Sequence, residues 1–376
     1  KRVASMAAVR NPQNAAQRVG TVYLPTCTPG SPKYQKQLVE KALTVVQRLG
    51  HPTYFITFTC NAKWPEITEN LLPGQVPSDR PILVARVFKL KLASLFKRIQ
   101  QWDGGCAYYF CTVEFQHRGL PHAHIALRVK TPPRFTDDMK HIQTNMPEAK
   151  DDRYRQLVGT HMIHSCRRKF ADERSGVKEV FECLRHKKKK DVVLRKCNRG
   201  YPKPYVANAS TSAAGYPVYS RRPPSDVDVH LDELDDPVAA RTRREIEEAF
   251  PDFTFDEICR RVVPHSRELL GLFECHVNVE WAHSVQIIDY LYKYIYKNDS
   301  TAWIGILKEG DQVQRFMNAQ RVSSSEAAWR TLRFEINMSS HAVDTVHIHT
   351  PGENWIIYNE AEEIADEQTY REQVAS

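Results

Sequence analysis

The sequence predicts an α+β fold that carries a basic insertion rich in cysteine and histidine. Three observations predict it. Segments of helical and of strand periodicity alternate over residues 31–129, in the order helix, strand, helix, strand, strand. The last two strands are joined by Gly119-Leu120-Pro121, a turn sequence that reads as a hairpin and therefore as antiparallel pairing. From 131 to 225 periodicity fades, and basic residues, cysteines and prolines dominate.

Composition sets outer bounds. The 376 residues suffice for one large domain or two ordinary ones. With 41% hydrophobic residues, wholesale disorder is excluded. A net charge of +8 and a pI near 8.9 are compatible with nucleic acid. No apolar run reaches the ~18 residues that a membrane span needs, so no membrane partner is expected. Nine cysteines, an odd number with no secretory leader before them, read as reduced thiols in cytosol or nucleus, some of them free to bind metal. The chain opens on Lys1, which reads as a piece cut from something longer.

Residues 1–20 read as a loose polar arm. Ser31-Pro32 starts a helix, Tyr34, Leu38, Ala42, Val45, Val46 and Leu49 follow at helical spacing, and Gly50 stops it. Tyr54 to Thr59 is β-branched and aromatic, a buried strand. Pro81 opens a long amphipathic helix through Val84, Phe88, Leu92, Leu95 and Ile99, closed by Gly104-Gly105. Ala107–Phe115 and His122–Val129 are the hairpin. Further on, an Arg/Glu-rich surface helix ends near Phe250, and Cys275–Glu280 alternates as a strand. Residues 284–297 read as a helix, because Ile287, Leu291 and Ile295 recur every four. A helix at Ser325–Leu332 and strands at Thr345–His349 and Trp355–Tyr358 complete the chain.

Chemistry concentrates in the hairpin. His122 and His124 are two apart, so they share one face of a strand. Glu114, on the preceding strand, can face them. Two imidazoles and one carboxylate suit a divalent ion and leave coordination positions for a substrate. In the insertion, His161, His164, Cys166, Cys183 and Cys197 offer a structural Zn²⁺ site, with free buried thiols as the other reading. The run Arg185 to Lys190 reads as a solvated loop, with phosphate contact as its alternative.

The chain resembles the replication-initiator-like HUH nuclease domain of Helitron transposases, rolling-circle DNA transposons. The resemblance rests on Gly30–Tyr34, Phe55–Ile67, Glu114–His124, His161–His164, Tyr201–Pro204, Gly215–Tyr219, His276–Glu280, Tyr290–Lys297 and Ser325–Arg330, in family order over about residues 22–358. It implies a small antiparallel sheet flanked by helices, with the His pair on a central strand. It implies nicking and rejoining of single-stranded DNA, at transposon ends and target, through a tyrosine. Two nucleophiles four residues apart match Tyr290 and Tyr294. Lys293 is the candidate for lowering their pKa. The ion would be Mg²⁺ or Mn²⁺ held by Glu114, His122 and His124, with Gln116, on the same strand face as Glu114, as the alternative third ligand, and the structural zinc would use His164, Cys166, Cys183 and Cys197. The implied location is nuclear, and the family's helicase domain, expected on the same polyprotein, is absent here. Where the family has Lys-Gly after the tyrosines, this chain has Lys297-Asn298, and its cysteine region carries extra residues around Lys187–Asp191.

The implied organisation is an arm and helix (1–50), a nuclease core with the metal-site strands (51–130) and the basic insertion (131–270). A tyrosine helix (271–300) completes the core, and a C-terminal helix and strands (301–376) follow. Two rivals remain. One is a non-catalytic module binding single-stranded DNA at transposon ends, with Trp64, Trp102 and Tyr109 exposed for base stacking. The other is a zinc hydrolase using His-x-His, which ranks last because the chain lacks a repeating βα pattern.

Overall fold

The computed structural model describes residues 32–115, 119–135, 139–166, 168–172, 176–180, 183–189, 192–213, 215–224, 237–282 and 323–344. The chain divides into two compact units, residues 1–341 and 342–376, and every element below belongs to the first. Gln116, the helix read at 284–297 with Tyr290, Lys293 and Tyr294, and the strands read at Thr345–His349 and Trp355–Tyr358 lie outside the described residues.

The fold is α+β, built on a five-stranded antiparallel sheet with helices packed on it. Helix α1, Pro32–Leu49, ends at the expected stop: Gly50 takes φ +86°, which only glycine adopts without strain, and its N–H donates to the Val46 carbonyl at 2.9 Å. Strand β1, Tyr54–Thr59, alternates, with Tyr54, Ile56 and Phe58 buried in the core and Phe55, Thr57 and Thr59 on the opposite face. A single-turn helix α2, Pro65–Thr68, precedes the long helix α3, Pro81–Ile99.

Helix α3 lays Val84, Phe88, Leu92, Leu95 and Ile99 against the core face of the sheet, and the Phe88 ring stacks 5.5 Å from Phe58. Each such side chain withdrawn from water contributes roughly 1.5–3 kcal/mol. The spacing that predicts this helix is therefore also what holds it to the sheet.

Strands β2, Cys106–Phe115, and β3, Pro121–Val129, form the hairpin, and β1 pairs with the far side of β3. The outer strands arrive from distant sequence. Strand β10, Val277–Trp281, pairs with β1, and β11, Asn337–Ser339, pairs with β2, giving the order β10-β1-β3-β2-β11. The outer edge of β10 is itself covered, because His265 bridges Asn278 on one side and Gln143 on the other.

Between β3 and β10 lie helix α4 (Asp152–His161) and two hairpins, β4 (Arg168–Asp172) with β5 (Gly176–Val180) and β6 (Leu184–Lys189) with β7 (Val192–Cys197). The short pair β8 (Ser210–Thr211) and β9 (Pro217–Val218) and helices α5 (Pro237–Ala249), α6 (Phe255–Cys259) and α7 (Arg267–Phe273) follow. Thr254 caps α6 with a reciprocal box to Glu257, and Ser266 caps α7. Ile142, Met146, Val158, Met162, Ile258 and Val262 join the same core as β1 and α3. After β10 comes α8, Ser324–Thr331, whose fully buried Trp329 packs on Phe88 and Phe115.

Two sequence expectations are corrected. Arg185 to Lys189 is not a loop but most of strand β6, because Val192-Val193-Leu194 supplies a β-forming partner across the hairpin. Trp64 and Trp102 are not exposed stacking platforms. They are 2% and 4% exposed, and their indole N–H groups donate to the Phe273 carbonyl and to Glu268. Among the described residues no helix is long and apolar enough to cross a membrane.

Candidate active site and metal centre

Register alone gathers the first cluster. Glu114 stands directly opposite His122 across β2 and β3, and Thr59 stands opposite His122 on the other side. The next row is Asn278, Thr57, His124, Thr112 and Asn337, running across all five strands. Residues in register share a face, so both rows lie on the side of the sheet turned from α3. Val113 and Ile125, beside them in sequence, point into the core.

His122 and His124 are 6% and 5% exposed, and their rings meet edge to face at 4.5 Å. Nε2 of His124 is 3.5 Å from Oε2 of Glu114, whose side chain remains 21% exposed. That distance is long for a hydrogen bond and suits two ligands around one cation. Thr59 Oγ1 lies 2.6 Å from Nδ1 of His122, which orients the ring and makes Nε2 its candidate ligand atom. The Phe55 ring stacks on His124 at 6.2 Å. Two buried imidazoles and a partly exposed carboxylate, braced from the neighbouring strand, have the donor chemistry to hold a divalent cation.

Sequence reasoning named Glu114, His122 and His124, and the structure brings all three together. It missed Thr59, Asn278 and Asn337. The signal for Thr59 was present in β1, where polar Thr57 and Thr59 alternate with Tyr54, Ile56 and Phe58. Asn278 and Asn337 stand in the row of His124, each two strands away from it, through long-range pairing that no local pattern announces.

The second cluster lies in the insertion. Nε2 of His164 is 3.7, 3.6 and 3.4 Å from the sulfurs of Cys166, Cys183 and Cys197, and the four donor atoms lie within 4.8 Å of one another. Zinc bonded to sulfur and nitrogen at usual lengths in a tetrahedron places N and S roughly 3.5 Å apart. The four residues therefore form a group that can hold a metal ion such as zinc. One residue separates His164 from Cys166, and both donor atoms still belong to the group. His161 is not part of the group.

Burial and the neighbouring sulfurs push the Cys183 thiol up to about 12. At Cys197 burial also raises the pKa, but the backbone N–H groups of Tyr201 and Arg199, together with the Cys166 and Cys183 thiols, outweigh it and bring the thiol below its ordinary range. The His164 ring stacks on Tyr201 at 4.3 Å, and its backbone N–H donates to the Arg261 carbonyl, so the cluster is fastened to the body of the protein. The eight cysteines among the described residues form no disulfide.

Residues 2–127 match a family model described as the Helitron helicase-like domain at the N-terminus. The match spans 126 of the 376 residues and takes in β1, α3, β2 and both histidines. No curated protein matches the chain.

Proposed function

We propose that the protein is a metal-dependent single-stranded DNA endonuclease and strand transferase of the Helitron type. The observation that supports it most is the convergence of Glu114, His122 and His124 on one sheet face, inside the stretch similar to a Helitron domain. When bound there, Mg²⁺ or Mn²⁺ supplies positive charge to a non-bridging oxygen of the scissile phosphate. Glu114, His122 and His124 would hold it, and the Thr59 hydroxyl at Nδ1 would keep His122 in its ligating orientation.

Tyr290 or Tyr294 is the nucleophile. The phenol loses its proton, its oxygen bonds to phosphorus, and the 3′-oxygen leaves and is protonated. The products are a 5′-phosphotyrosine and a free 3′-OH. A phenol ionises near ~10, so it needs help, and Lys293 is the candidate. One phosphodiester is exchanged for another, so a second strand is joined by the reverse step without ATP. Two tyrosines allow two DNA ends to be held in turn. On this reading the protein acts in the nucleus, on transposon-end and target strands, beside a helicase domain of the same polyprotein.

The test is a covalent-adduct assay. Labelled single-stranded DNA and Mn²⁺ are mixed with protein and run on a denaturing gel. A protein-linked band is expected with the unaltered chain. Tyr290→Phe with Tyr294→Phe should abolish it, and His122→Ala should lower it by roughly a hundredfold, as loss of a metal ligand does. Thr59→Val should raise the Mn²⁺ needed for half-maximal adduct by roughly tenfold, as loss of a ligand-orienting partner does. No band on any DNA, with binding retained, would sink the nuclease reading and leave a binding module.

A further inference from the structure

The charge of this protein is concentrated in one hairpin. Residues 184–199 contain eight Lys and Arg and one Asp, a net +7 in a chain whose total is +8. The other 360 residues are therefore almost neutral. Most of that stretch is the β6–β7 ribbon, and its register sets Arg185 opposite Lys196. Like charges at opposed positions weaken a two-stranded ribbon in water. A polyanion lying along it removes that penalty.

The base of the ribbon is built to be held. Cys183 immediately precedes β6 and Cys197 ends β7, and both sulfurs belong to the cluster with His164 and Cys166. The Asn198 N–H donates to the Cys183 carbonyl at 2.7 Å, closing the same end. An isolated two-stranded hairpin is marginal alone, and a metal clasp at its root supplies the missing anchor.

Which polyanion fits follows from composition. Sites for single strands pair a basic groove with aromatic rings for base stacking. Residues 184–199 contain no Phe, Tyr or Trp. Duplex DNA carries about one charge per 1.7 Å and asks only for cations at its backbone. Its major groove also admits a two-stranded ribbon, which the deep, narrow groove of duplex RNA does not. Six residues per strand extend roughly 20 Å at about 3.3 Å each, more than half a turn of B-DNA.

We propose that the β6–β7 ribbon, clasped at its root by His164, Cys166, Cys183 and Cys197, docks on the backbone of double-stranded DNA. Combined with the nuclease reading above, on which this role rests, it anchors the duplex flanking the strand to be cut. Its duplex binding needs neither Glu114 nor the tyrosines.

The experiment measures affinity by fluorescence anisotropy for a blunt 20-base-pair duplex and for a single strand of the same length. Zinc-loaded protein is compared with Lys187→Gln/Lys188→Gln/Lys189→Gln across a salt series. The variant should bind duplex roughly tenfold more weakly or worse, and its log–log salt slope should fall by about 2.7, near 0.9 for each phosphate left unneutralised. Single-strand affinity and adduct formation should stay within about twofold. Unchanged duplex affinity would overturn the proposal, and so would an equal loss on both DNAs. Should the triple variant lose its circular dichroism signal, Lys187→Gln/Lys189→Gln decides, with an expected slope change of about 1.8. A failure of the nuclease reading shows separately, as no adduct from any variant while the duplex result stands.

Discussion

His265 illustrates how much one buried side chain commits the fold to a pH range. It has no exposed surface, its Nδ1–H donates to the Val263 carbonyl at 2.8 Å, and Nε2 accepts from the Tyr154 hydroxyl at 2.7 Å. Burial is the main reason its pKa falls from 6.5 to about 4. The unfolded chain therefore binds a proton between those values that the folded chain refuses. Stability from this residue is complete above about 6.5, falls as pH drops through the window, and levels off below about 4. The full loss is about 3 kcal/mol at ~1.4 kcal/mol per unit. Urea unfolding at about pH 7 and about pH 4.5 should show that slope, and His265→Gln should flatten it. Residue by residue, the site was legible where donors sit close in sequence: His122 and His124 through their spacing, Glu114 through the hairpin. That Thr59 would stand opposite His122 was not, because only the register between β1 and β3 brings them together.

At the level of elements, legibility followed burial. Helices α1 and α3 and strands β1, β2 and β3 carry enough apolar residues at a regular period to declare themselves, and α5 declared itself by its Arg/Glu-rich composition instead. Strands β4 to β7 do not, since charge masks the alternation, and β11 is three residues long with one apolar side chain. Helix α4 went unread for a related reason. Its Gly159 argues against a helix by propensity, yet α5 crosses so closely there that a Cβ would stand 2.5 and 2.7 Å from Cγ1 and Cδ1 of Ile246. Gly159→Ala should therefore destabilise by roughly 1–3 kcal/mol, as overpacking does, although alanine is the better helix former. Chemical denaturation measures it. A gain in stability would show that the α4–α5 packing yields freely. Pairing the change with Ile246→Val should recover part of the loss.

For the whole molecule, the proposed metal clasp divides the chain into a sheet that would fold without zinc and a ribbon that would depend on it. The core of β1, β2, β3 and α3 is closed by apolar packing, whereas the root of β6 and β7 carries the sulfur–imidazole cluster. Cys183→Ser should lose one equivalent of zinc by elemental analysis. Amide exchange should then accelerate across residues 184–197 while β1 and β3 keep their protection. Uniform loss of protection would mean that the cluster stabilises the entire chain. Equal zinc content in the variant would remove the metal assignment. The cluster was legible in composition, but its closure was not, since ligands from residues 164 to 197 meet only after two hairpins form.

The strand order β10-β1-β3-β2-β11 also has a consequence for biosynthesis. The three central strands are complete by Val129, but the two flanking strands are not made until Val277–Trp281 and Asn337–Ser339. At about 5–20 residues per second, a ribosome takes roughly ten to forty seconds to travel from β3 to β11. Through that interval the nascent sheet, already bearing both histidines, presents two open hydrogen-bonding edges, and exposed edges recruit other strands. Residues 139–146 and 263–265, which end beside β10, emerge before it does. The chain thus delivers a cover for one edge ahead of the strand it will cover. The other edge waits for three residues near position 338, so a segment made some two hundred residues later guards the strands that carry both histidines.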